Sequence, residues 1–141
     1  MKIWKKPISL EELARSRIDT MVGHVGIEFL EIGDDFLKGR MPVNAKTLQP
    51  YGIMHGGASC VLAETLGSIA ANYCTSDDKK VFVGLSINTN HIRMIKEGYV
   101  IGRAYPIHLG RSTQVWDIRI EDEQGRLISV TRLTLASVDK V

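Results

Sequence analysis

Between Ile53 and Ser76 the chain carries a single full charge, Glu64, in a run of Ala, Leu, Ile, Val and Gly broken only by neutral polar groups. From Gly56 to about Cys74 there is no proline and little alternation, and a buried helix of about five turns accounts for this best. A helix that is apolar on nearly every side has no face to offer water and must be buried all round. The rest of the chain must therefore wrap it, with a second copy of the protein as a further neighbour. The run is long enough to suggest a membrane span. The carboxylate in its middle, with His55, Ser59, Thr65, Ser68 and Asn72, argues against one.

The wrapping is legible as strands. Val25 to Ile32 and Phe36 to Val43 read as two strands joined by Gly33-Asp34-Asp35, and Asn44 to Gly52 as a loop. After the helix, Val81, Val83, Leu85 and Ile87 alternate with Phe82, Gly84, Ser86 and Asn88, which gives one strongly apolar face. Tyr99 to Ile107 follows Gly98. Trp116, Ile118 and Ile120 alternate with Asp117, Arg119 and Glu121, and Glu123-Gln124-Gly125 turns the chain into Leu127 to Ala136. Ser9-Leu10-Glu11-Glu12 has capping-box spacing and predicts a short N-terminal helix over about residues 9–20. The expected class is α+β, with an antiparallel sheet curved around one long helix. No repeat or linker divides the 141 residues, so they read as one domain.

Composition narrows the partners. A net charge of +2, from 18 basic and 16 acidic residues, gives no reason to expect nucleic acid or an anionic membrane. Cys60 and Cys74 read as buried free thiols, which fits a reducing compartment. No apolar run follows the basic Met1 to Lys6, so no signal peptide is expected and the location reads as cytoplasmic. His24, His55, His91 and His108 are too scattered to predict a metal site.

Glu64 is the first candidate for chemistry. Burying a carboxylate costs several kcal/mol unless it is paired, and no Lys or Arg lies at helical reach. Ser68, one turn on, could donate a hydrogen bond to it. Just before the helix stand His55-Gly56-Gly57. A helix N-terminus exposes unpaired N–H groups, and glycine lets a carbonyl approach them, as an oxyanion hole requires. Two glycines also simply permit a tight turn. Gly56 and Glu64 lie roughly 12 Å apart along a helix, whereas a polariser and a nucleophile must both lie within about 3.5 Å of the reacting group. One helix cannot supply both; two antiparallel helices from two protomers could. Gln49, in the preceding loop, could orient water or substrate. Asn88, Asn90, His91 and Arg93 cluster at a strand end. His108-Leu109-Gly110-Arg111-Ser112 forms the next strand junction, with Arg111 suited to a phosphate.

The segments Gln49-Pro50-Tyr51-Gly52-Ile53-Met54-His55-Gly56-Gly57-Ala58-Ser59 and Leu62-Ala63-Glu64-Thr65-Leu66-Gly67-Ser68 resemble the signature of hotdog-fold acyl-CoA thioesterases. Glu64 with Gln49 is the pairing of the branch that hydrolyses aryl-CoA. The likeness continues through Gly84 to Arg93 and His108 to Trp116, and covers roughly residues 20–137. Within that branch it points to the members acting in menaquinone and enterobactin synthesis, hence to substrates such as 1,4-dihydroxy-2-naphthoyl-CoA.

The resemblance implies the hotdog fold, a homodimer with active sites at the interface, and pairing of dimers into a homotetramer. It also implies roles. Glu64 would be nucleophile or general base, and the Gly56 N–H would polarise the thioester carbonyl. Gln49 and His55 would assist near the thioester and water, and Ser68 would lie in the acyl pocket. Asn90, His91 and Arg93, with His108, Leu109, Gly110, Arg111 and Ser112, would hold the CoA nucleotide and phosphates. CoA enters as part of the acyl-CoA substrate, and no metal or redox cofactor is expected. A hotdog enoyl-CoA hydratase and a non-catalytic acyl-CoA binding module are the rival readings. The first typically pairs an Asp with a His in a motif absent here; the second would have no need of Glu64.

Overall fold

The computed structural model describes residues 1–141. In chain order it contains α1 (Leu10–Arg15), α2 (Met21–His24), β1 (Glu28–Ile32), β2 (Leu37–Pro42), α3 (Gly56–Tyr73), β3 (Lys80–His91), β4 (Tyr99–Leu109), β5 (Thr113–Asp122) and β6 (Leu127–Asp139). The strands form one antiparallel sheet in the order β1-β2-β4-β5-β6-β3, and α3 packs against β2 through β6. This is the α+β arrangement expected of the sequence, a sheet curved around one long helix.

The helix sits close because glycines meet it. A Cβ on Gly39 would stand 2.8 Å from Leu66, and one on Gly102 2.9 Å from the same side chain. From the helix side, a Cβ on Gly67 would come within 2.6 Å of Leu133. Leu62, Leu66, Trp116, Ile118, Ile120, Leu133 and Leu135 are fully buried between the two layers, each side chain contributing about 1.5–3 kcal/mol of apolar burial. Two polar links fix the register. Trp116 Nε1 donates to Gln114 Oε1 (2.8 Å), and Gln114 Nε2 donates to the Ala71 carbonyl (3.2 Å). Asn72 Nδ2 donates to the Phe82 carbonyl (2.9 Å) while its Oδ1 accepts from the Phe82 N–H (2.8 Å), so one side chain grips the backbone of β3.

Three expectations change. The N-terminal helix expected over 9–20 is shorter: α1 ends at Arg15, and a separate α2 follows beyond that range, capped by Thr20 accepting from the Val22 N–H (3.2 Å). The first strand begins at Glu28 rather than Val25, because Val25 closes α2 and Gly26 takes a positive φ of 81°. Within one chain, without the second copy expected as a further neighbour, Val61, Glu64, Thr65, Ser68 and Asn72 form a half-buried stripe on α3, and Cys60 too is half-buried. The adjoining strand β3 lies at the sheet edge, with Val83 42%, Leu85 67% and Ile87 37% exposed. The single apolar face expected there is split by the bulge at Gly84–Ser86: Val83 pairs with Ala136 on the outer side, whereas beyond the bulge Ile87 pairs with the buried Leu133 on the helix side.

Candidate active site

The N-terminus of α3 is built by the loop before it. The Gln49 N–H donates to the Ile53 carbonyl (2.8 Å), the His55 N–H to Thr47 (2.8 Å) and the Met54 N–H to Ile95 (2.8 Å), so the loop is tied on both sides as it enters the helix. His55 is the N-cap: its Nδ1 accepts from the Gly57 N–H at 2.8 Å. That bond assigns the tautomer, because a neutral ring accepting at Nδ1 carries its proton on Nε2. The Ala58 N–H is also taken, by the His55 carbonyl at 2.9 Å. The Gly56 N–H donates to nothing in the chain. It stands at the positive end of the helix dipole, free to polarise an incoming carbonyl oxygen.

Each glycine of the pair lies under a histidine ring. A Cβ on Gly57 would be 3.0 Å from His55 Nδ1, and a Cβ on Gly56 would be 2.9 Å from His91 Nε2. Side chains at either position would push a ring away, so the glycines are required by more than the turn. Gln49, Gly56, Ser59, His91 and Arg93 share a cavity of about 280 Å³ whose apolar walls include Met54, Ile95 and Ile128. The Gln49 Oε1 accepts from the Tyr51 N–H, which leaves its amide Nε2 to face a ligand.

Glu64 lies elsewhere. It is half-buried on the open stripe of α3, has no ion-pair or hydrogen-bond partner, and sets its carboxylate against β3, where a Cβ on Gly84 would be 2.2 Å from Oε2. The bulge in β3 at Gly84–Ser86 lies beside it. Ser68 does not hydrogen-bond to Glu64; its carbonyl accepts from Asn72 Nδ2 (2.8 Å). A carboxylate held without a partner is free to act as nucleophile or base.

The remaining predicted residues divide between the two ends of α3. Asn90 is exposed, with Nδ2 3.4 Å from Asn88 Oδ1, while Arg93 joins the cavity at Gly56. Leu109, Gly110, Arg111 and Ser112 line a separate polar cleft of about 640 Å³ at the C-terminal end of α3, with Lys5, Ser76 and Lys80. His108 lies beside it, its Nε2 2.6 Å from where a Gly110 Cβ would stand. Cys74, on the wall of that cleft, is buried, and burial pushes its thiol up to about 12 in spite of nearby Lys5. Within one chain, then, the carbonyl-polarising N–H, the carboxylate and the Arg111 cleft are strung along α3 rather than gathered. Sequence reading missed Gly84, Asn72 and Ser59. Gly84 had one available signal, a glycine inside an otherwise regular strand.

Comparison with known proteins gives the family. Residues 51–129 match the sequence profile of the thioesterase superfamily. The chain is 52% identical over 134 residues to the 1,4-dihydroxy-2-naphthoyl-CoA hydrolase of Escherichia coli, a match covering 95% of this chain and 98% of that one. It is 48% identical over 134 residues to the proofreading thioesterase EntH of Cronobacter turicensis, covering 95% and 97%. Its fold matches the crystal structure of a thioesterase from Haemophilus influenzae with a TM-score of 0.93 at 45% identity, covering 97% and 95%. With an unpartnered carboxylate, a free helix-N-terminal N–H and these relatives, the chain belongs to the hotdog-fold thioesterase superfamily and is an enzyme that hydrolyses acyl-CoA thioesters.

Proposed function

We propose that the substrate is an aromatic acyl-CoA of the 1,4-dihydroxy-2-naphthoyl type, hydrolysed at two equivalent sites in a homodimer, with Glu64 from one protomer and Gly56 from its partner at each site. Glu64 carries this reading. It is an unpartnered carboxylate on the stripe of α3 that a single chain leaves open, beside an edge strand with Val83, Leu85 and Ile87 exposed. A second copy running antiparallel would cover both surfaces and bring Gly56 and Glu64 within reach of one thioester, which roughly 12 Å of helix prevents in a single chain. The aromatic acyl group is supported by the naphthoyl-CoA relative, and a place in menaquinone synthesis follows from the same likeness. Pairing of dimers into a tetramer and a cytoplasmic location belong to the same proposal.

In this scheme the Gly56 N–H receives the carbonyl oxygen, while Gln49 Nε2 and His55 Nε2–H orient the thioester and water. Glu64 attacks the carbonyl carbon or takes a proton from the attacking water. The C–S pair leaves with the sulfur, and water supplies the oxygen of the acid and the proton of the thiol. Ser68 lines the acyl end. Asn90, Arg93 and the His108–Ser112 turn hold the nucleotide and phosphates.

The test is thiol release from a panel of aromatic and aliphatic acyl-CoAs by wild type and Glu64→Gln. The naphthoyl ester should be the fastest, and the variant should lose at least about 100-fold, the lower range for removing a general base. A variant that keeps its rate sinks the role of Glu64; an aliphatic preference sinks the aromatic substrate. Single turnover in oxygen-18 water separates the two routes, because only attack by Glu64 itself leaves label in its carboxylate.

A further inference from the structure

An oxyanion hole is strongest with two donors, yet the helix N-terminus of this chain has only one to give. The Gly57 N–H is spent on His55 Nδ1 (2.8 Å) and the Ala58 N–H on the His55 carbonyl (2.9 Å), leaving the Gly56 N–H alone. The nearest side-chain nitrogen to the face of Gly56 is His91 Nε2, 2.9 Å from the position a Cβ would take, with Cε1 at 3.1 Å. Cα–Cβ vectors in a helix tilt toward its N-terminus, so this ring stands on the same side as the free N–H. The cavity the two share is also lined by Ser59, whose hydroxyl is fully buried and makes no hydrogen bond, a polar group left at the wall of a ligand-sized space.

We infer that His91 is a catalytic residue of the thioester site, supplying through Nε2–H the second donor to the carbonyl oxygen, and that it is not a holder of the CoA nucleotide. This rests on the thioesterase reading and deepens it. As the carbonyl carbon becomes tetrahedral, negative charge gathers on its oxygen, and two donors converge there: the Gly56 N–H along the helix axis and the His91 Nε2–H from the end of β3. No proton changes hands, and the charge returns to the C–O double bond as the C–S bond breaks. Gly56 must lack a side chain because a Cβ would displace the second donor.

The experiment compares wild type, His91→Leu and His91→Gln on an aromatic acyl-CoA and on the same acyl group carried by N-acetylcysteamine, which lacks the nucleotide. His91 is exposed, so both variants should fold, and circular dichroism checks this. Loss of one oxyanion donor predicts a fall in kcat of about 100-fold for the Leu variant, with KM little changed. The fall should be equal on both substrates, and the Gln variant, which keeps an N–H donor, should recover part of it. A rise in KM confined to the CoA ester would overturn the inference in favour of nucleotide binding. Unchanged kinetics, or no recovery with Gln, would also overturn it. Wild-type turnover of the CoA ester is the internal reference: if wild type is inactive, the thioesterase reading itself has failed, whatever the variants do.

Discussion

Replacing Gly84 by alanine separates stability from chemistry. Gly84 lies in β3 with an ordinary negative φ, so alanine fits the backbone, and the loss of unfolded-state freedom should stabilise the fold by about 0.4–1 kcal/mol. The new methyl, however, would stand 2.2 Å from Glu64 Oε2. Carbon and its non-bonded neighbours settle near 3.5–4.0 Å, so the carboxylate must retreat by about 1.3 Å or more. Displacement of that size at a reacting group costs about 100-fold in rate, or roughly 2.7 kcal/mol of barrier. Steady-state thiol release should therefore show kcat reduced about 100-fold, while the thermal midpoint holds or rises. Wild-type kcat in a folded Gly84→Ala protein would refute the placement of Glu64 against β3 as its working position. A matched fall in both midpoint and rate would refute the claim that the glycine serves the carboxylate rather than the strand.

Other outcomes follow from the same geometry. Leu85→Lys places a charge on the open face of β3, and sedimentation should show a monomer whose secondary structure is intact and whose thiol release is at least about 100-fold down; an active monomer would refute a shared site. Asn72→Ala leaves the Phe82 N–H and carbonyl without partners and should lower stability by about 2–3 kcal/mol in urea unfolding. Burial pushes the Asp122 carboxyl up, but the N–H groups of Arg126 and Gln124 and the Arg126 guanidinium outweigh it and hold it below the usual carboxylate range. A lowered folded-state value gives stability that is present above about pH 4, the unfolded carboxylate value, and lost as pH falls through the folded one. The urea midpoint of wild type should thus exceed that of Asp122→Asn at pH 7, and the gap should close toward pH 3.

The long helix could be read from sequence because an unbroken apolar run leaves one structural option, and the later strands because alternation and turn glycines are local signals. The break between α1 and α2 was not readable. It depends on Thr20 Oγ1 donating to the Arg17 carbonyl (2.7 Å) and accepting from Val22, a competition that a capping box at Ser9 does not reveal. Alternation in β3 crosses a bulge at Gly84–Ser86 that reverses which residues face the helix, so the exposure of Leu85 needed the pairing with β6. Glu64 and Gly56 stood out through charge and glycine spacing. Their surroundings did not: Gly84 reaches Glu64, and His91 reaches Gly56, only after β3 is gripped by Asn72, a contact between residues ten apart in sequence.

The open edge of β3 has a consequence for a single copy of the chain. Twelve residues from Lys80 to His91 present unpaired backbone groups beside three exposed apolar side chains, with no proline to blunt the row. A newly made or diluted copy is in effect a template for any extended segment. With the proposed dimer, recovery on refolding should therefore pass through an optimum in concentration, limited below it by slow encounter between copies and above it by strand-to-strand aggregation.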